Sequence, residues 1–481
     1  MDTLQSAKLN AQKLENRFSP KIQTNFDFNR KLVSFQANKS LPEYRWFKYK
    51  EGFSATLIKY IFSKLGVKSG KILDPFAGAG TTLFAAQEYG LDSLGIELLP
   101  VGWEIIQARQ IATGFDSQNI AVHLSRWAED RPWNKPIKPR RFQHLRITEG
   151  AFPRKTEETL EKFLTLAEKE SNNLYNMLRF AALCVLEEIS YTRKDGQYLR
   201  WDYRSRRKTN TDFDKGKIYS FDEAMCNKLN QICSDIKGDN LDLFSSLVPK
   251  KQKGKIELKR GSILEILPKL QNNSFDCLIT SPPYCNRYDY TRTYALELAL
   301  LGIGEEGIRK LRQTMLSCTV ENREKSNLDK FFSNALLAKA RKAFESQLFL
   351  SNVLAYLEEC KQKHLLNNPG IVRMIKNYFW ELTLCLFECK RILKPKAPFI
   401  MVNDNVRYQG ITIPVDLILS DIARKAGFYI EKIWILPTGK GNSSQQMGNH
   451  GREVLRKCVY VWRTTKEKST KTRDRLLAFQ Q

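Results

Sequence analysis

The chain has 481 residues, 42% hydrophobic and 27% charged, an ordinary soluble globular composition but longer than one core needs, so two domains or one with large inserts are expected. Lys and Arg number 78 against 52 Asp and Glu, leaving a net charge of +26, which suits a polyanionic partner such as nucleic acid. No run approaches the apolar length of a membrane span, and Met1 to Gln5 lacks the regions of a signal peptide; the ten Cys and the four His (His123, His144, His364, His450) show no metal-ligand spacing. A cytoplasmic protein with reduced, mostly buried thiols, no metal and no membrane partner is expected.

The first chemically informative segment lies beyond residue 70. Lys71-Ile72-Leu73 reads as a short buried strand, Asp74 to Gly80 (Asp-Pro-Phe-Ala-Gly-Ala-Gly) as a glycine-rich turn, and Thr81 to Tyr89 as a helix with Leu83, Ala86 and Tyr89 near helical spacing. A second strand, Ser93 to Ile96, ends in Glu97, placed where nucleotide-binding units hold a ribose diol. Leu83 stands where a dinucleotide fingerprint requires Gly or Ala, and no Lys follows Gly80. NAD and the ATP phosphate loop are therefore both disfavoured.

From residue 115 to 253 the alternation of strand and helix stops. Basic loops and amphipathic helices, Glu157 to Glu170 and Leu174 to Glu188, take its place. Between Arg193 and Lys208 cations are interleaved with aromatics, and Arg193, Arg200, Trp201, Arg204, Arg206 and Arg207 are candidate DNA contacts. Arg can engage a phosphate or a guanine edge bidentately, and an aromatic can wedge beside an extruded base. The competing reading is a solvated loop that Trp201 and Tyr203 anchor to the core.

Phe275 to Ile279 reads as a strand running into Thr280-Ser281-Pro282-Pro283-Tyr284. An exocyclic amine on a nucleobase is a poor nucleophile because its lone pair is delocalised into the ring. An enzyme that alkylates it must accept its N–H hydrogens and draw the nitrogen toward sp³ geometry. Paired prolines, with φ fixed and no N–H, make a stiff turn whose carbonyls point in defined directions, and preorganised acceptors stabilise charge as it develops. Ser281 supplies a hydroxyl, Pro282 a carbonyl, and Tyr284 a flat face for an extruded base. Cys285 follows, but carbon-5 methylation of cytosine needs a thiolate directly after a single Pro, and Tyr284 intervenes. Farther on, Tyr288 to Leu301 reads as a helix entrance that brings Tyr288, Tyr290 and Tyr294 near the site. Leu328 to His364 reads as long packing helices, and Lys440 to Gln446 as a polar loop whose Asn and Gln either read a base edge or simply meet water.

These motifs together resemble the S-adenosylmethionine-dependent DNA amino-methyltransferases, and Ser in Ser281-Pro282-Pro283-Tyr284 resembles the N4-cytosine branch, where the N6-adenine branch carries Asp or Asn. The resemblance implies a Rossmann-like α/β core with a mostly parallel seven-strand sheet, the last strand antiparallel, and helical basic insertions. It implies that Ser281, Pro282, Pro283 and Tyr284 are catalytic. Asp74, Phe76, Ala77, Gly78, Gly80 and Thr81 would bind the cofactor's methionine part, Glu97 its ribose, and Ser262, where the family often has Asp, its adenine. Ser54 belongs to the segment Lys50 to Ser54 that closes over the cofactor before the helix Ala55 to Leu65. Cys389 to Val402 looks like the helix, turn and fifth strand, and Tyr429 to Leu436 with Leu455 to Arg463 like the last pair.

The implied organisation is an N-terminal extension (1–45), the cofactor half of the core (46–114), an inserted target-recognition region (115–253), the catalytic turn (254–300), a helical insertion (301–370), the final strands (371–465) and a basic tail (466–481). The implied activity is site-specific methylation of cytosine N4 in duplex DNA, within a restriction-modification system whose endonuclease acts separately. The enzyme would be cytoplasmic and nucleoid-associated. Methylation of adenine N6, methylation of RNA, and DNA binding by an inactive core are the alternatives.

Overall fold

The computed structural model describes residues 3–196, 198–205, 207, 212–238, 253–437 and 454–465. Arg206, the loop Lys440 to Gln446 and the tail 466–481 lie outside the described residues. Twelve strands occur among the described residues: β1 Ile22–Thr24, β2 Lys71–Asp74, β3 Asp92–Glu97, β4 Thr192–Asp195, β5 Tyr198–Trp201, β6 Ile256–Arg260, β7 Cys277–Thr280, β8 Pro398–Asp404, β9 Val406–Tyr408, β10 Ile411–Ile413, β11 Phe428–Ile435 and β12 Lys457–Thr464.

Eight of them form one sheet in the order β1-β11-β12-β8-β7-β2-β3-β6. β12 runs antiparallel to both β8 and β11, and the remaining pairs are parallel. Among the described residues the sheet thus has eight strands rather than the expected seven. The extra one is β1, contributed by the N-terminal extension and paired in parallel with Ile433 to Ile435 of β11.

Strand alternation explains why the sheet is covered on both faces. Leu73, Leu278, Phe399 and Met401 pack with the helices Ile371–Ile392 and Val415–Lys425. Their neighbours Ile72, Ile279, Ile400 and Val402 point the other way, against Ala55–Leu65 and Thr81–Glu88. Strand order reverses at β2 and β7, where β2 continues to β3 and β7 to β8. Ligands of doubly wound sheets bind at such a switch point, outside the carboxyl ends of the strands.

In the segment from 117 to 237 the helices Ser117–Asp130, Arg154–Ala167, Asn172–Ile189 and Phe221–Lys237 form a second core together with Trp46, Phe47, Tyr49 and the helices Pro100–Thr113 and Ala295–Leu300. The hairpin β4-β5 adds Leu199 and Trp201 to that core. Lys194 of β4 forms a buried ion pair with Glu297 of the helix Ala295–Leu300. Its ammonium also lies 5.0 Å from the Phe47 ring centroid and 4.8 Å from that of Tyr294. A charge this deeply buried is tolerable only with its partner. Glu297→Ala is therefore expected to cost about 3–5 kcal/mol in urea unfolding, whereas Lys194→Met with Glu297→Leu should recover most of that loss; equal destabilisation in both variants would show that the ion pair is not the cause.

Candidate active site

β2 and β7 pair in parallel, Ile72 opposite Cys277 and Leu73 opposite Leu278, so the turns that follow them emerge side by side. The link is sealed by a hydrogen bond from Thr280 Oγ1 to Asp74 Oδ1 of 2.7 Å. Asp74 Oδ1 also accepts the Phe76 N–H at 3.1 Å. Burial pushes the Asp74 carboxyl up to about 6, against these hydrogen bonds.

The glycine bend needs its glycines. Gly78 has φ +54° and Gly80 φ +75°, the left-handed region that side chains disfavour. A Cβ on Gly78 would lie 3.1 Å from the Tyr49 ring, and one on Gly80 2.8 Å from Ile106. Gly78 N–H donates to Glu97 Oε2 at 2.5 Å, and Leu99 N–H to Glu97 Oε1 at 2.6 Å. Burial raises the Glu97 carboxyl from its ordinary 4.5 to about 8, opposed by those two N–H donors. The folded value lies above the unfolded one, so this carboxyl's contribution to stability is complete below about 4.5 and is lost as pH climbs through about 8.

Asp74, Phe76, Ala77, Gly78, Thr81, Glu97, Ser262, Ser281 and Pro283 line one cleft, about 820 Å³ including its open mouth. A second chamber of about 860 Å³, mouth included, is lined by Ser281, Pro282, Tyr284, Tyr288, Tyr290 and Asp404. Glu51, Ser281 and Tyr290 line both, so the proline corner, through Ser281, stands where the two spaces adjoin. Ser281 Oγ donates to Val402 C=O at 3.1 Å and lies 3.4 Å from the Tyr284 hydroxyl. With its proton engaged there, the oxygen can turn lone pairs toward the chamber.

Some expected residues stand elsewhere. Ser54 does not line the cleft: it is fully buried, donates to Leu32 C=O and accepts the Leu57 N–H at 3.0 Å as a helix cap; its neighbours Gly52 and Phe53 face the cavity instead. Gly80 sits behind the bend as the N-cap of Thr81–Glu88. Ser262 lines the cleft, donates to Thr314 C=O at 3.3 Å and caps Ile263–Ile266. Trp201 is buried, which fits an anchor rather than a base wedge. Arg204 is held by Asp202 and Gly216 C=O at 2.7 Å each, and Arg207 donates to Ile147 C=O at 3.0 Å and lies over the Trp201 ring. Arg193 and Arg200 are exposed, Arg200 paired with Asp195 at 3.3 Å.

Tyr288 and Tyr290 line the second chamber as the sequence suggests, while Tyr294 lies behind them, stacked on Tyr49 with centroids 5.4 Å apart. Both Tyr288 and Tyr294 donate their hydroxyls to Glu51. Tyr49, Met315, Leu316 and Asp404 are lining residues that the sequence reading does not name. Met315 and Leu316 come from the helical insertion, which has no signature of its own. Cys285 is fully buried with its thiol pushed well above the ordinary range by burial, unsuited to attack on carbon-5. No group of His, Cys, Asp and Glu among the described residues could hold a metal ion, and no helix there is long and apolar enough to cross a membrane.

Because Gly78 sits at positive φ against Tyr49, Gly78→Ala should destabilise the fold by about 1–2 kcal/mol, read as a lower thermal midpoint; an unchanged midpoint would mean the bend tolerates a side chain.

The family model described as DNA methylase matches residues 5–107, the stretch that holds β2, the glycine bend and β3. The type II methyltransferase M.AvaI of Nostoc sp., and that of Anabaena variabilis, are each 53% identical to this chain over 454 residues, covering 94% of it and 92% of the relative. The type II methyltransferase M.BsoBI of Geobacillus stearothermophilus is 42% identical over 473 residues, covering 94% and 91%. With the two signature turns meeting in one cleft and relatives matched along nearly their whole length, the chain belongs to the type II DNA methyltransferases, within the amino-methylating DNA methylases.

Proposed function

We propose that this enzyme transfers the methyl group of S-adenosylmethionine to the N4 amino group of a cytosine extruded from duplex DNA. The observation that carries the reading is the proline corner, which places Ser281 on the wall shared by the glycine-bend cleft and the second chamber. S-adenosylmethionine supplies an electrophilic methyl group on a sulfonium. The cleft fits such a ligand: Glu97 offers a carboxylate for ribose hydroxyls, and Phe76, Ile263, Met315 and Leu316 offer apolar walls. On the other side, Ser281 Oγ and the Pro282 carbonyl accept the amino hydrogens and draw the nitrogen lone pair out of conjugation, while Tyr284 gives the base a flat surface. Holding donor and acceptor across one wall removes much of the entropic cost of bringing them together.

The hydroxyl of Ser281, in place of a carboxylate or amide, favours cytosine over adenine. The relatives' type II character supports a restriction-modification setting with a separate endonuclease, and the +26 net charge supports a DNA partner. The region 115–253 is the part proposed to read the target sequence, and the nucleoid is the proposed place of work. Nucleoside mass spectrometry of duplex DNA incubated with enzyme and S-adenosylmethionine tests the reading: N4-methylcytosine is expected, N6-methyladenine would overturn the base assignment, and methyl groups in transfer RNA alone would overturn the DNA assignment.

Ser281→Ala should lower kcat about 100-fold or more while leaving cofactor affinity within about twofold of wild type by calorimetry; parallel loss of both would make Ser281 structural. Ribose hydroxyls and a sulfonium both favour ionised Glu97, whose free carboxyl titrates near 8. Cofactor affinity should therefore tighten as pH rises toward 8, by up to about tenfold per unit, and level off above it. Glu97→Gln should remove that slope, and a slope that persists in the variant would assign it to another group.

A further inference from the structure

The β4-β5 hairpin ends at the second chamber. Gly196, in its turn, lines that chamber together with Ser281, Pro282 and Tyr284. β5 also packs against the short helix Tyr290–Thr293 that follows the proline corner. Asp195 pairs with Tyr198 on the last rung before the turn. Alternation along the two strands sends Thr192, Lys194, Leu199 and Trp201 into the protein and Arg193, Asp195, Tyr198 and Arg200 to solvent. Tyr198 is 56% exposed. It stands two residues from the chamber-lining Gly196, on a face that also carries the exposed Arg193 and Arg200. Tyr203, also exposed, lies beyond the far end of β5.

The hairpin is a fixed post rather than a loose flap. Lys194 is tied to Glu297 and sits over the Phe47 and Tyr294 rings. Its carbonyl accepts Lys50 Nζ at 2.5 Å, and Trp201 is sunk into the second core. An exposed tyrosine on an anchored strand can take a position in a duplex at small entropic cost, having few rotamers to lose.

Extruding a base costs a few kcal/mol of stacking and pairing and leaves a gap in the helix. Side chains that enter base steps offset such costs in bent and kinked DNA, and stacking of a base on an aromatic ring contributes about 1–3 kcal/mol. We propose that Tyr198 is the wedge that stacks in the duplex at the gap left by the target base, with Arg193 and Arg200 on the flanking phosphates. The proposal rests on the DNA-methylation reading but not on which base is methylated.

The test uses the full-length enzyme and duplexes carrying the site located by sequencing DNA that the wild type has methylated. Tyr198→Ala should fold with an unchanged thermal midpoint and unchanged S-adenosylmethionine affinity, yet methylate the intact duplex at least about tenfold more slowly in single turnover, as the loss of one stacking contact implies. Placing an abasic position opposite the target, which removes the pairing cost, should bring the variant within about threefold of wild type on the same duplex, and Tyr198→Phe should behave as wild type throughout. Wild-type rates for Tyr198→Ala on the intact duplex would overturn the wedge, as would a loss undiminished on the abasic duplex. A wild-type enzyme that transfers no methyl group to any DNA would instead sink the parent reading, and the wedge with it.

Discussion

The structure turns on the parallel pairing of β2 and β7. Asp74 and Thr280, 206 residues apart in the chain, are joined by a side-chain hydrogen bond at the carboxyl ends of neighbouring strands. Adjacent parallel strands lie roughly 4.8 Å apart, so the bend after one and the corner after the other have no choice but to share a cleft. Between them in sequence, Glu97 and Ser262 return to line the cleft, whereas the helices between 117 and 237 contribute no lining residue to it. The long insertion adds little to the cost of the pairing, because loop-closure entropy grows only slowly with length.

Two features keep the shared wall rigid. The prolines fix the corner, and Ser281 is tied to Val402 of β8, the next strand along. On the opposite side, Tyr49 packs between the glycine bend and Tyr294, while Glu51 gathers the hydroxyls of Tyr288 and Tyr294. The strap that carries Tyr49 and Glu51 therefore bridges the glycine bend and the helices after the proline corner. Through Lys50 and Lys194 the same strap holds the β4-β5 hairpin. One network of aromatic and ionic contacts positions the glycine bend, the chamber and the hairpin relative to one another.

Local signals made the core legible in the sequence. The glycine bend, Glu97 at the end of β3 and the proline corner each announce themselves through residue types that few other structures need, and the helix Ala55–Leu65 stands where the family resemblance implies it. The eighth strand was not legible, because the three residues of β1 are exposed or half-buried and carry no alternation; only their pairing with β11 makes them a strand. Ser54 was misread for a related reason: a serine before a helix is first a cap, and the cleft takes its neighbours instead. Trp201 shows the limit of reading aromatics among cations, since the parity of β5 turns it inward while Tyr198 on the same strand turns outward. Met315 and Leu316 reach the cleft through tertiary packing alone, which no short motif encodes.

The most direct test of the shared-wall geometry is a crystal structure of the enzyme with a non-reactive S-adenosylmethionine analogue and duplex DNA. The analogue's sulfur-equivalent atom should lie beside the glycine bend, and the target amino nitrogen about 3 Å from Ser281 Oγ and the Pro282 carbonyl, in line with the donor. A donor bound in the second chamber, or a target base seated away from the proline corner, would contradict the account.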